Sequence, residues 1–185
     1  MARNSRHIRR EEIERGAEHV SATHRAMKDA ARERDKSEKH RERHARALDA
    51  FRSSFFPIHY ELWRACHDSE MAQIDRDLAF DYLDADPFYH GSGYLKEMLI
   101  QRLKKTPFTR AEAELLRKLI LSKVARGRGA FTNLCRLIPR LETPEFVAQL
   151  QNFTDAATPE IRRRARFALL YVSGGERYNK PPRED

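Results

Sequence analysis

Two histidines stand one helical turn apart in His40-Arg41-Glu42-Arg43-His44, a spacing at which two imidazoles can clasp a metal ion. Zinc-protease chemistry needs the glutamate directly after the first histidine, and Lys39, Arg41, Arg43 and Arg46 repel a cation. The pair therefore reads as part of a solvated helix face. Asp75, Asp77, Asp81, Asp84 and Asp86 offer carboxylates for acid–base work or a divalent cation, and Asp77, Asp81 and Asp84 share one helical face. The segment has neither the glycine-bearing loop of a calcium site nor a histidine at ligand spacing, so it reads as an exposed acidic face. Gly91-Ser92-Gly93 and Gly127-Arg128-Gly129 are too short to cradle a phosphate and follow no strand, which makes them turns. Cys66 and Cys135 belong to no metal-ligand pattern and have no catalytic partner at readable spacing; they read as buried thiols of a reducing compartment. No catalytic residue, cofactor or metal is assigned.

Charge is the more informative signal. The 185 residues carry 36 Lys/Arg against 28 Asp/Glu, a net +8 that favours anionic partners. Residues 68–86 hold seven acids against Arg76, and residues 87–141 hold twelve bases against Glu97, Glu112 and Glu114. Blocks of opposite sign either pair internally or face two partners. Arg102, Lys105, Arg117, Lys118, Lys123, Arg126 and Arg128, extended by Arg162 and Arg166, form a candidate basic stripe suited to a phosphate backbone. No run approaches 18 consecutive apolar residues, so no membrane span is expected. The N-terminus lacks the apolar run of a secretory signal, and its glutamates argue against a mitochondrial presequence; the expected location is cytoplasmic.

The elements that must carry these residues are helices. Ala, Leu, Arg, Glu and Lys dominate, and glycine is scarce at 7 of 185. Residues 1–50 hold 14 Lys/Arg, 10 Asp/Glu and no Phe, Tyr or Trp, which predicts a charged N-terminal helix or arm divided from a packed domain near Leu48–Phe51. Its 4-3 seam runs Ile13, Ala17, Val20, His24, Met27, Ala31, Arg34, Glu38, Arg41, Ala45, Leu48, apolar at its ends and charged in the middle. That pattern argues against a dimeric coiled coil and for a solvated helix. From 51 to 173 short helices are expected: Pro57 to Cys66 with Phe56, Tyr60 and Trp63 on one face, Glu70 to Leu83, and Tyr94 to Lys105. Thr109-Arg110-Ala111-Glu112 is a capping box opening a helix that ends near Arg126, and a shorter helix then stops at Pro139. Thr143-Pro144-Glu145 and Thr158-Pro159-Glu160 open two more, each with threonine as cap and proline in the first turn. Residues 174–185 read as a polar, flexible C-terminal tail.

The helix pair 143–172, through Thr158-Pro159-Glu160-Ile161-Arg162 followed by Ala165 and Leu169, resembles a HEAT-like repeat; the pair from Thr109 to Leu141 resembles it more loosely. The resemblance implies stacked antiparallel helix pairs, a short α-solenoid with an extended binding face. The last helix ends apolar nearly all round, with Phe167, Leu170 and Tyr171 as a candidate contact surface. The fold class expected is all-α. The function expected is that of a non-catalytic adaptor binding another protein, with sequence-independent nucleic-acid binding as the alternative. A homo-oligomer would form through the N-terminal helix or the apolar C-terminal helix.

Overall fold

The structure, a computed structural model, describes residues 2–67, 73–127 and 131–172, without the side chains of 2–6 and 73–75. Every regular element among them is helical, as the composition predicts. None of these helices is long and apolar enough to cross a membrane. The helices divide into two compact units, Met1–Arg102 and Leu103–Asp185.

The first unit is built on a helical hairpin. Helix α1 (Ala2–Glu33) continues through Gly16, then a 3-10 turn (Arg34–Lys36) reverses the chain into α2 (Glu38–Arg52). Ser37 caps α2, its Oγ accepting from the His40 amide at 3.4 Å. The expected charged N-terminal segment is helical, and its apolar positions are packed rather than solvated. Ile13, Ala17, Val20 and Ala30 of α1 are buried, whereas Arg34, Glu38 and Arg41 are exposed. The chain turns where the seam has nothing apolar left to bury. The division between compact units consequently falls at Arg102/Leu103 and not near Leu48–Phe51.

Helices α3 (Pro57–His67), α4 (Gln73–Ala85) and α5 (Ser92–Leu103) complete this unit. Leu78, Tyr82, Leu83, Leu95 and Leu99 fill its core. Phe56, from the loop before α3, lies against Gly16 of α1, where any β-carbon would overlap the ring. The acidic block pairs internally: Arg9 reaches Asp81 at 2.9 Å, and Arg10 reaches Asp84 at 3.7 Å. Asp81 is buried, which departs from the exposed acidic face that the sequence suggests. Asp75 and the tail 174–185 lie outside the described side chains.

The second unit opens with α6 (Arg110–Arg126), and the capping box is present as expected: Glu112 amide to Thr109 Oγ1 at 3.3 Å, and Thr109 amide to Glu112 Oε2 at 2.7 Å. Gly127 ends it at φ +62°. Helices α7 (Phe131–Cys135), α8 (Ile138–Leu141), α9 (Pro144–Asn152) and α10 (Pro159–Leu169) follow. Pro139 does not stop a helix but sits in the first turn of α8, where its missing amide is harmless. Thr143 caps α9 through the Phe146 amide at 3.2 Å, whereas the Thr158 hydroxyl makes no capping bond on α10. Leu116, Ile120, Leu141, Leu150 and Ala165 are fully enclosed.

One buried free cysteine sits in each unit, Cys66 in the first and Cys135 in the second. Burial pushes their thiols up, to about 11 and about 12 respectively.

Candidate functional site

Helix α3 carries more apolar side chains than one buried face can use. Ile58, Leu62, Ala65 and Cys66 point into the core, so Tyr60 and Trp63, expected on a packed face with Phe56, are left outside at 53% and 42% exposure. Tyr94 in the first turn of α5 is 75% exposed. These rings surround a cleft of about 420 Å³ lined by Phe51, Arg52, Phe55, His59, Tyr60, Trp63, His90, Gly91 and Tyr94. Its size falls within the roughly 300–1,000 Å³ of ligand pockets.

Helices α2, α3 and α5 and the loops before α3 and α5 supply the lining. The end of α2 supplies Phe51 and Arg52, and the loop into α3 supplies Phe55, whose ring lies 5.7 Å from Phe51 and 4.7 Å from His59. His59 stacks toward Trp63 at 6.1 Å and 21°. The loop between α4 and α5 brings His90 and Gly91, and buried polar contacts hold it. The Lys96 ammonium donates to Asp86 Oδ1 and to the Pro87 carbonyl, both at 2.6 Å. The Ser92 hydroxyl donates to the Tyr89 carbonyl at 2.8 Å. From α1, His24 backs the cleft, with its ring 4.4 Å from His90 and 5.0 Å from Phe51.

Among the described lining residues, His59 is the buried polar one. Its Nδ1 lies 2.7 Å from the Tyr89 hydroxyl, which lies 2.6 Å from the hydroxyl of Tyr82. Burial lowers the imidazole pKa to about 4, so His59 is neutral at ordinary pH. Burial also raises both tyrosines well above their usual range, so they stay protonated. Among the described residues, neither Asp, Glu, Ser nor Cys lines the cleft.

The basic positions singled out in the sequence fare differently from one another. Arg102 Nε donates to the Cys66 carbonyl at 2.6 Å at the end of α3, and Arg117 Nε to the Leu141 carbonyl at 2.6 Å at the end of α8. Arg162 Nη1 donates to the Ala156 and Ala157 carbonyls at 2.7 and 2.8 Å. Lys123 is 3% exposed. These four are built into the fold, and two of them close the negative ends of helices. Arg164 and Arg140 do likewise: Arg164 Nε donates to the Val124 carbonyl at 2.7 Å, and Arg140 to the carbonyls of Lys104 and Thr106. Lys105, Lys118, Arg126 and Arg166 are exposed, and Arg128 lies outside the described residues. At the apolar end, Phe167 and Tyr171 are half-buried with rings 5.5 Å apart, Phe131 lies 5.8 Å from Phe167, and Leu170 is 47% exposed.

His40 is held by Ser37, whose Oγ is 2.7 Å from its Nδ1. Among the described residues no three His, Cys, Asp or Glu side chains gather as a metal-binding group. Sequence reasoning passed over the aromatic cleft, although a signal was present: the Ile58, Leu62, Ala65 stripe and the Tyr60, Trp63 pair define two different apolar faces on one helix.

Compared with protein-family models, with curated proteins and with solved structures, the chain finds no match.

Proposed function

We propose that the chain is a non-catalytic adaptor that binds another protein, and that the aromatic cleft of the first unit is its principal contact. The observation carrying this reading is the exposure of Tyr60, Trp63 and Tyr94 around one concavity. Leaving large rings partly in water forgoes a share of the roughly 1.5–3 kcal/mol that full burial of a large apolar side chain supplies, and Trp, Tyr and Arg are the side chains that dominate protein interfaces. With it goes a HEAT-like reading of the second unit, supported by the proline-led openings of α9 and α10 and by the packing of α10 on α9 and α6. The alternative, nucleic-acid binding through a basic stripe, loses support because Arg102, Arg117, Lys123 and Arg162 serve the fold.

The test is photocrosslinking in cells that make the protein, with benzoylphenylalanine in place of Tyr94 and, as a control, in place of the exposed Arg163. A discrete polypeptide adduct from position 94 alone, lost when Trp63→Ala is added, is expected. Nuclease-sensitive adducts, a dimer of the chain itself, or no adduct would each overturn the reading.

A further inference from the structure

The hydrogen-bonded chain behind the cleft determines which side of His59 carries its proton. The Tyr82 side chain is fully buried, and its hydroxyl has Tyr89 as its hydrogen-bond partner among the described residues. Two orders can be drawn. If Tyr82 O–H donates to Tyr89 and Tyr89 O–H donates to His59 Nδ1, every hydroxyl proton is used. In the reverse order His59 Nδ1–H donates to Tyr89, Tyr89 donates to Tyr82, and the Tyr82 proton is enclosed without an acceptor. An unsatisfied buried donor is the costlier arrangement. The first order therefore holds, and it leaves the proton of the neutral imidazole on Nε2. This nitrogen makes no hydrogen bond within the protein and is not enclosed, so it reaches the water of the cleft.

The remaining lining has the same polarity. Arg52 stands at the cleft as a fixed positive charge; Asp49, 3.8 Å away, forms only an exposed i,i+3 pair with it that water screens. Among the described residues no carboxylate lines the cleft. Phe51, Phe55, Tyr60, Trp63 and Tyr94 give it apolar walls. A cationic group would meet Arg52 and an N–H, whereas an anionic one would meet two donors beside aromatic faces.

Building on the reading of the cleft as a partner-binding site, we infer that it receives an apolar or aromatic side chain lying next to a carboxylate, the Nε2–H of His59 and the guanidinium of Arg52 being the donors to that carboxylate. The partner is thus an acidic-hydrophobic segment of a protein.

Trp63, the one tryptophan of the 185 residues, lines the cleft and reports occupancy of the intact chain directly. Three probes of one size separate the chemistry: 3-phenylpropionate, 3-phenylpropionamide and 3-phenylpropylammonium, each titrated at pH 7 while Trp63 emission and its indole ¹H–¹⁵N resonance are followed. The carboxylate is expected to bind about tenfold tighter than the amide, with the ammonium weakest. Arg52→Gln, at an exposed position that does not endanger folding, should remove most of that advantage. The ¹⁵N resonances of the unliganded protein should show His59 protonated at Nε2 and not at Nδ1. Equal binding of the three probes, a preference that survives Arg52→Gln, no response of Trp63, or the opposite tautomer would each overturn the inference. Loss of the probe preference together with intact crosslinking from position 94 would sink this specificity alone. The reverse outcome would sink the partner-binding reading alone.

Discussion

Replacing Gly16 by alanine sets two local effects against each other in one position. Gly16 sits inside α1, where alanine is better than glycine by about 1 kcal/mol because it restricts the unfolded chain and shields the backbone. Its new β-carbon, however, would overlap Cγ and Cδ1 of Phe56 and lie 2.8 Å from Cδ2, where carbon atoms prefer roughly 3.5–4.0 Å. The ring has little room to withdraw. Phe56 is 8% exposed, and its ring lies 5.7 Å from Tyr89 and 6.2 Å from His59. Overpacking of this kind costs about 1–3 kcal/mol, and contact at Cγ, near the root of the side chain, belongs at the upper end. The net expectation is a loss of about 1–2 kcal/mol. Urea unfolding followed by Trp63 emission reads the first unit without interference from the second, which has no tryptophan. Phe56→Leu in the Gly16→Ala background should recover part of the loss, giving a coupling energy above about 0.5 kcal/mol in a double-mutant cycle. A Gly16→Ala protein as stable as the parent, or more so, would refute the close approach of Phe56.

Three further outcomes are expected. The His59 pKa is about 4 in the folded chain against an ordinary 6.5, so between those values the unfolded chain holds a proton that the folded chain does not. Stability then rises with pH across that window: the contribution is full above 6.5 and is lost on acidification toward 4, by up to about 3 kcal/mol, with a flatter urea-midpoint profile for His59→Gln. Arg164→Leu should destabilise the second unit by about 1–3 kcal/mol through the orphaned Val124 carbonyl, whereas Arg163→Leu beside it should stay within about 0.5 kcal/mol, as judged by thermal unfolding. Thr109→Ala, which dismantles the capping box, should cost about 1 kcal/mol by the same measurement.

Much of the secondary structure was legible because its signals are local. The capping box at Thr109–Glu112, the glycine after Arg126 and the proline in the first turn of α9 each act through one or two neighbouring amides. The reversal at Arg34–Ser37 was hidden because Ser37 is a cap without a breaker before it, inside a run that favours helix throughout. The cleft escaped notice for a different reason. Periodicity marks an apolar face but does not say which of two faces on α3 the core will take; that depends on Leu62 meeting the rest of the first unit. Part of the basic stripe serves the fold, which sequence does not show, because an arginine that closes a helix end looks, in sequence, like one that faces water. Arg117 and Lys118 are adjacent, yet only the first reaches a carbonyl.

The two buried cysteines give the molecule a reporter in each of its units. Thiolates, not thiols, attack electrophiles, and enclosure both blocks access to Cys66 and Cys135 and suppresses their ionisation. Each sulfur therefore becomes alkylatable chiefly when its own unit opens. Alkylation of the native chain, followed peptide by peptide in a mass spectrometer, would run as two separate clocks. Equal rates for Cys66 and Cys135 would mean the units open in one cooperative event, and unequal rates would rank them by local stability without any engineered label.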